Sequence, residues 1–235
     1  MSIKKGLERT AGDLMKLKRQ QNQSESMSAY AKGDNARVTE ALLSRESGGM
    51  CVDFHKDGLF YLVGTEDGTL HKCTRSQRDQ YVMDYQRHDE PVYRVRWSPF
   101  NPDMFLSCSA DWTARLYHHE RSDPILKFYS KQEAIHDVCW SPRAPTVFAT
   151  ATASGRVCLW DLTEPLEPRN SIEPSSDGRS LNCLLFADQL SPVIAAGDNK
   201  GEVTIIKLGG RLFEDQYTQE SGSERMLEAL KPNMK

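Results

Sequence analysis

The stretch from His88 to Tyr117 alternates apolar and polar positions in short bursts separated by turn formers. Val92–Trp97 reads Val-Tyr-Arg-Val-Arg-Trp, with β-branched and aromatic residues recurring at every second or third place, as in a half-buried strand. Ser98-Pro99-Phe100-Asn101-Pro102-Asp103 is dense in turn residues. Met104–Ser109 is a small, mostly apolar run suited to burial on both faces. Asp111-Trp112 breaks it, and Thr113–Tyr117 alternates again. Three strands joined by two tight turns form a meander, and an isolated meander cannot bury its faces. The pattern therefore predicts copies of itself in the same chain.

Two independent landmarks locate those copies. The aromatic that closes the first strand recurs as Phe54, Trp97, Trp140 and Phe186, at intervals of 43, 43 and 46 residues. The turn residue before the third strand recurs as Gly68, Trp112, Gly155 and Gly201, at intervals of 44, 43 and 46. A period of roughly 40–45 residues filled with short strands is that of a propeller blade. The expected fold is all-β: a partial β-propeller of about four blades, at 49–86, 87–130, 131–174 and 175–208. A generic β-sandwich with irregular strands is the competing reading.

The blade strings RVRWSP, FLSCSADWTARLY and VCWSPRAPTVFATATASGRVCLWDL, with the pair Trp160-Asp161, resemble the WD-repeat family over roughly Met50 to Leu208. In that family a His, a Ser or Thr, an Asp and a Trp tie each blade by a hydrogen-bonded set. Carried over here, the resemblance implies His88, Ser107 or Ser109, and Asp111, with Tyr117 where the Trp would stand; Trp97, Trp140 and Trp160 complete the structural set. The following blade holds Lys131 and Ser154 at the His and Asp positions, so its stability is expected to rest on packing. The family's blades number six to eight. Four blades therefore imply the carboxyl-terminal part of a larger propeller, present as a fragment, a short isoform or an incomplete gene model.

Composition narrows the partners. The chain has 235 residues, 38% hydrophobic and 27% charged, enough for one sizeable core. Its formal net charge of −3 gives no reason to expect nucleic acid or an acidic membrane surface. No apolar run approaches the roughly 20 residues of a membrane span, and the first residues lack a secretory apolar core. Six cysteines, Cys51, Cys73, Cys108, Cys139, Cys158 and Cys183, are scattered through strand-like runs and read as buried reduced thiols.

The flanks are less regular. Gly12–Lys18 resembles the run Gly155–Trp160, which suggests that residues 1–20 are the remnant last strand of a preceding blade. Residues 21–48 form a polar connector, with a short outer strand at Arg37–Leu43 as the structured option. The tail, 209–235, opens on Gly-Gly; Ser223–Leu230 is a short helix candidate with Met226, Leu227 and Leu230 on one side, ended by Pro232. That stripe could dock on its own domain or on a partner.

No catalytic constellation stands out, so neither enzyme activity nor a cofactor, metal or small-molecule substrate is expected. Gly197–Gly201 sits in a hairpin and has no helix after it, so it is a turn before it is a phosphate loop. His118-His119 would point to opposite faces of a strand and could not chelate one ion together, and His136-Asp137 would likewise point apart. What remains is a surface. Propellers of the resembled family bind partners through the rim, which here holds Trp112, Tyr93, Arg94, His136, Asp137 and Arg156. Exposed Trp beside Tyr and Arg is the composition of an interaction hot spot.

The pieces Gly64-Thr65-Glu66-Asp67-Gly68, Phe105–Ser109 and Ala110-Asp111-Trp112 narrow the resemblance to dynein intermediate chains, nearest the axonemal inner-arm type. The resemblance implies a non-catalytic scaffold subunit of an axonemal motor. It would be cytoplasmic and cytoskeletal, in a cilium or flagellum, with a propeller that holds the dynein heavy-chain tail beside other dynein subunits. Light-chain binding, which such chains place on an amino-terminal extension, is not expected to carry over to these residues. A general WD-repeat adaptor in an unrelated assembly is the alternative.

Overall fold

The computed structural model describes residues 47–76, 81–165, 167–174, 177–187, 193–209 and 217–233. The remnant strand expected over 1–20, and the connector up to residue 46 with its outer strand, lie outside the described residues.

Four antiparallel sheets follow one another along the chain. The first holds β1 (Gly49–Phe54), β2 (Phe60–Thr65), β3 (Leu70–Thr74) and β4 (Met83–Asp84). The second holds β5 (Val92–Trp97), β6 (Met104–Ser109), β7 (Thr113–His118) and β8 (Leu126–Tyr129). The third holds β9 (Ile135–Trp140), β10 (Val147–Thr152), β11 (Val157–Asp161) and β12 (Asn170–Ile172). The fourth has three described strands, β13 (Leu181–Phe186), β14 (Val193–Asp198) and β15 (Val203–Lys207). Each is a meander, and each inner strand packs on the next: β1 on β5, β5 on β9, β9 on β13. This is a partial propeller of four blades.

The central strands β6 and β10 are buried at every position because a blade covers each of their faces. Three apolar clusters fill the spaces between blades. Leu62, Leu70, Val95, Phe105 and Tyr117 lie between the first and second. Met104, Leu106, Phe128, Trp140, Phe148 and Trp160 lie between the second and third. Val147, Leu159, Leu184, Phe186 and Ile194 lie between the third and fourth. Met50, Val52 and Phe54 at one end of the arc, and Leu185, Val203 and Ile205 at the other, remain exposed.

Polar stitches accompany the packing. Trp97 donates its indole N–H to Asp53 O (3.3 Å) and its backbone N–H to Asp53 Oδ2 (2.9 Å). One blade on, Trp140 Nε1 donates to Arg96 O (3.1 Å), and Asp137 Oδ2 accepts from Leu184 N (2.9 Å). A third repeat landmark is invisible in the sequence. Each inner strand carries a β-bulge against its neighbour, with Met50, Tyr93, His136 and Asn182 as the extra residues. Such bulges re-aim side chains at the end of a strand.

The tail helix, α1 (Gln219–Leu230), starts four residues earlier than the apolar stripe suggests. A capping box explains this: Thr218 accepts from the Ser221 backbone while the Ser221 hydroxyl accepts from Thr218 N. It docks on its own domain. Met226 and Leu230 are fully buried in the cluster between the second and third blades, whereas Leu227 is exposed. Gly222 sits against Phe100, and Lys56 Nζ donates to Gln219 Oε1 (2.6 Å), so the helix spans the first three blades at the end opposite Trp112. A methyl added at Gly222 would fall 2.3 Å from Phe100 Cδ1, on a ring too buried to swing away. Gly222→Ala, which on helix propensity alone would gain about 1 kcal/mol, is therefore expected to destabilise the protein in urea denaturation; a gain would show that the helix is not seated there.

Candidate partner-binding rim

At one end of the blades, four equivalent turns join the second and third strands. Gly68, Gly155 and Gly201 take φ of 87°, 88° and 86° there, and Trp112 takes 67°. In this left-handed region a side chain meets the backbone, at a cost of roughly 1–2 kcal/mol for a non-glycine residue.

The segment leading into each of the later three blades is tied to that blade's turn, by three different chemistries. In the second blade the tie is the network the sequence implied. His88, fully buried, places Nδ1 2.8 Å from Asp111 Oδ2 and Nε2 2.8 Å from Ser107 Oγ. A carboxylate only accepts, so Nδ1 carries the proton and Nε2 accepts from Ser107. Thr113 Oγ1 donates to Asp111 Oδ1 (2.6 Å) and Arg115 Nη2 to Asp111 Oδ2 (2.9 Å). Ser107 is thus the hydroxyl that meets His88, and Ser109 instead donates to Glu90 O (2.9 Å). Tyr117 donates its hydroxyl to Gln86 O (3.0 Å) and stacks on Phe105.

The third blade does not rest on packing alone. Lys131 is exposed, but Glu133 takes its place and binds both Ser154 and Arg156. Trp160 Nε1 donates to Thr150 Oγ1 (3.0 Å), so half of the implied set survives. In the fourth blade Arg179 bonds Asp198 Oδ2 (3.2 Å), Glu202 Oε2 (2.5 Å) and Asp177 Oδ2 (2.8 Å).

Of the six residues expected to meet a partner, five are engaged within the arc. Tyr93 lies edge-on to His136, ring centroids 5.3 Å apart, and His136 Nδ1 is 2.9 Å from Leu181 O. Arg94 Nε donates to Asp137 Oδ1 (2.8 Å). Asp137 is 2% exposed and links the second, third and fourth blades, so its burial corrects the expectation of a surface group. Arg156 is held by Glu133. Trp112 alone is free, 48% exposed, with no hydrogen bond to Nε1 among the described residues. The tying roles of Glu133 and Arg179 carry no motif; only their place two residues before an inner strand could have flagged them.

Two further expectations change. His118 and His119 do not point apart: β7 ends at His118, the alternation stops, and ligand atoms of His118, His119 and Glu120 lie within 4.8 Å of one another. Both rings, however, turn Nδ1 toward a donor, Glu120 N on His118 (3.2 Å) and Lys72 Nζ on His119 (2.7 Å). That leaves the proton on Nε2, and the Lys72 ammonium opposes a cation. The six cysteines are free thiols, and Cys183 is exposed rather than buried. Burial pushes the Cys51 thiol up to about 11 and that of Cys73 to about 12, so neither is a ready nucleophile.

The WD40-domain model of dynein axonemal intermediate chain 3 matches residues 11–205. The chain belongs to this family. It is 40% identical over 208 residues to mouse (Mus musculus) dynein axonemal intermediate chain 4, covering 88% of this chain and 25% of that protein. The Danio rerio protein of the same name is 49% identical over 162 residues, covering 68% and 20%. Ciliary dynein intermediate chain 2 of Heliocidaris crassispina is 36% identical over 170 residues, covering 70% and 24%. The chain thus spans a fifth to a quarter of the length of these relatives. Two crystal structures of computationally designed proteins share the fold. Ika8 gives a TM-score of 0.57 at 17% identity, covering 70% of this chain and 47% of that one; Ika4 gives 0.56 at 18%, covering 70% and 94%.

Within this dynein intermediate-chain arc the charged tie is pH-sensitive. Burial, then the neighbouring Arg115 charge, hold His88 below its ordinary value. Burial pushes the Asp111 carboxyl up, but hydrogen bonds from His88 and Thr113 and the Arg115 charge bring it well below the usual carboxylate range. Both groups take protons more readily in the unfolded chain. Their stabilisation is therefore present above the unfolded values of about 6.5 and about 3.9 and is lost as pH falls through and below them. Asp111→Ala, which strands Arg115 and His88, is expected to cost about 3–5 kcal/mol in urea denaturation at pH 7 and to flatten the stability profile below pH 4. An unchanged midpoint would remove the network from the fold's support.

Proposed function

We propose that the chain is a non-catalytic scaffold subunit of an axonemal dynein, working in a cilium or flagellum, with its blades holding the tail of a dynein heavy chain. Membership of the dynein intermediate-chain family carries this reading. It is supported by the relatives that the chain resembles, which are axonemal, ciliary and flagellar dynein intermediate chains. The architecture agrees in kind. Meanders that bury their polar groups in mutual ties leave a rigid surface for partners, and surface contact is how a propeller of this sort acts. Among the described residues three buried ionisable groups are spent on structural bonds, His88 and Asp111 on a turn and Asp137 on two neighbouring blades.

The test is retention of axonemal dynein. The immobilised chain, incubated with a high-salt extract of axonemes, is expected to retain dynein heavy chain above a bare-resin control. Flow-through of all heavy chain, with retention of an unrelated multiprotein assembly, would overturn the reading in favour of a general WD-repeat adaptor.

A further inference from the structure

The corner between the second and third blades departs from the repeat in a way that stability does not explain. At Gly68 and Gly155 an added Cβ would come within 2.3 Å and 2.4 Å of a carbonyl oxygen of the next blade, His88 O and Arg179 O. The equivalent position 112 nevertheless carries the largest side chain, held at positive φ. The segment leading into the third blade accommodates it: Ser130 N donates to Trp112 O (2.8 Å), Gln132 N donates to Ser130 O (2.7 Å), and Gln132 itself takes φ of 56°. Trp112 and Gln132 are the two non-glycine residues at positive φ among the described residues, and they meet at one corner. Backbone outliers of this kind collect at functional sites, because surrounding structure must hold them in place.

The chemistry of the corner is equally uneven. The chain has four tryptophans. Trp97, Trp140 and Trp160 each spend the indole N–H on an internal acceptor, Asp53 O, Arg96 O and Thr150 Oγ1. Trp112 has no such acceptor among the described residues, and its ring stands half in water. Tyr129, 66% exposed, pairs across β7 and β8 with Thr113, the residue that follows Trp112 in the chain. The second blade thus presents an exposed ring with a free donor on the Trp112 turn and a second exposed ring, Tyr129, at the end of the neighbouring strand β8, at the end of the arc that the helix α1 leaves open.

We propose that Trp112 and Tyr129 form a docking corner for a polypeptide segment of another dynein subunit that brings an apolar side chain together with an unpaired backbone carbonyl. The apolar group covers the rings, and the carbonyl accepts the Trp112 N–H. The side of a helix spends its carbonyls internally, so the matching segment is an extended stretch or the last turn of a helix, where four carbonyls lack partners. Asp89 and Glu90 on one side and Lys131 on the other are all exposed, so the corner carries both charge signs and selects by shape and hydrogen bonding rather than net charge.

This inference rests on the reading of the chain as a dynein subunit, and the test separates the two. The probe is axonemal dynein from high-salt extract, titrated against the immobilised chain. Trp112→Gly restores the residue used by the sister turns, so thermal stability should hold or rise while dynein retention falls by about tenfold or more. Trp112→Phe, which keeps a ring and loses the N–H, should fall between wild type and Trp112→Gly, and Tyr129→Ala should weaken retention without touching the turn. Acrylamide quenching of the tryptophan emission should drop on binding in the wild type and not in Trp112→Gly. Wild-type retention that is matched by Trp112→Gly and Tyr129→Ala overturns the docking corner and leaves the scaffold reading standing. Absence of wild-type retention overturns the scaffold reading, and the corner with it.

Discussion

The whole arc depends on the constraint that an antiparallel sheet has two faces and a meander can cover neither of its own. Every blade must lean on the next. The chain meets this with apolar clusters between consecutive blades and with a hydrogen-bonded stitch at the inner strands. An aspartate or carbonyl of one blade caps an N–H of the following one, as Asp53 does for Trp97 and Asp137 for Leu184. A buried carboxylate is tolerable only because its acceptors are filled, by backbone N–H groups and by Arg94 for Asp137. The same stitches set the rotation between sheets and hence the rim on which the turns are displayed.

The rim shows how one mechanical task can be met by unlike chemistry. Each turn must be fastened to the segment that leads into its own blade. A neutral histidine shared between a carboxylate and a hydroxyl does it in the second blade, an acid on a serine and an arginine in the third, and an arginine among three acids in the fourth. The first version is the most buried, with His88 and Asp111 side chains at 0% and 4% exposure, and there the loss of one partner is most damaging. The other two are wetter and closer to surface ion pairs, which contribute little each. Conserving the geometry while exchanging the groups leaves the rim stiff, so a bulky Trp112 can be held in a conformation its sister turns reserve for glycine.

The tail helix gives the arc a second, local restraint. Its buried Met226 and Leu230 share a cluster with Met104, Leu162 and Trp140, so a segment outside the repeat closes the far end of the blade-two and blade-three junction. Helical periodicity alone placed Met226 and Leu230 correctly but also placed Leu227, which is exposed, because a stripe on a helical wheel does not say which edge of it the domain meets. The capping box, which advances the helix start to Gln219, is built from two hydroxyls, Thr218 and Ser221, and a polar spacer conceals it.

The sequence by itself determined the blade period, the strand runs and the family. The period and the strand runs rest on local features, namely alternation along a strand and turn residues that set φ, and local features repeat legibly when the unit repeats; the family rests on the resemblance of the motif strings. It also marked a tie of His88, Ser107 or Ser109, and Asp111, since a motif preserves its spacing; the structure chose Ser107. Only the tertiary structure decided which charged groups are free. Arg94, Asp137 and Arg156 look like rim residues along the chain, yet each meets a partner in another strand or blade, and burial of Asp137 is a property of three sheets at once. It alone revealed the bulges at Tyr93 and His136, the end of strand order at His118 that brings His118, His119 and Glu120 together, and the isolation of Trp112 among four tryptophans. The physical reason is the same in each case. Exposure, bulging and pairing are set by what the neighbouring blade places opposite a residue, and that neighbour stands some 40–45 positions away in the chain.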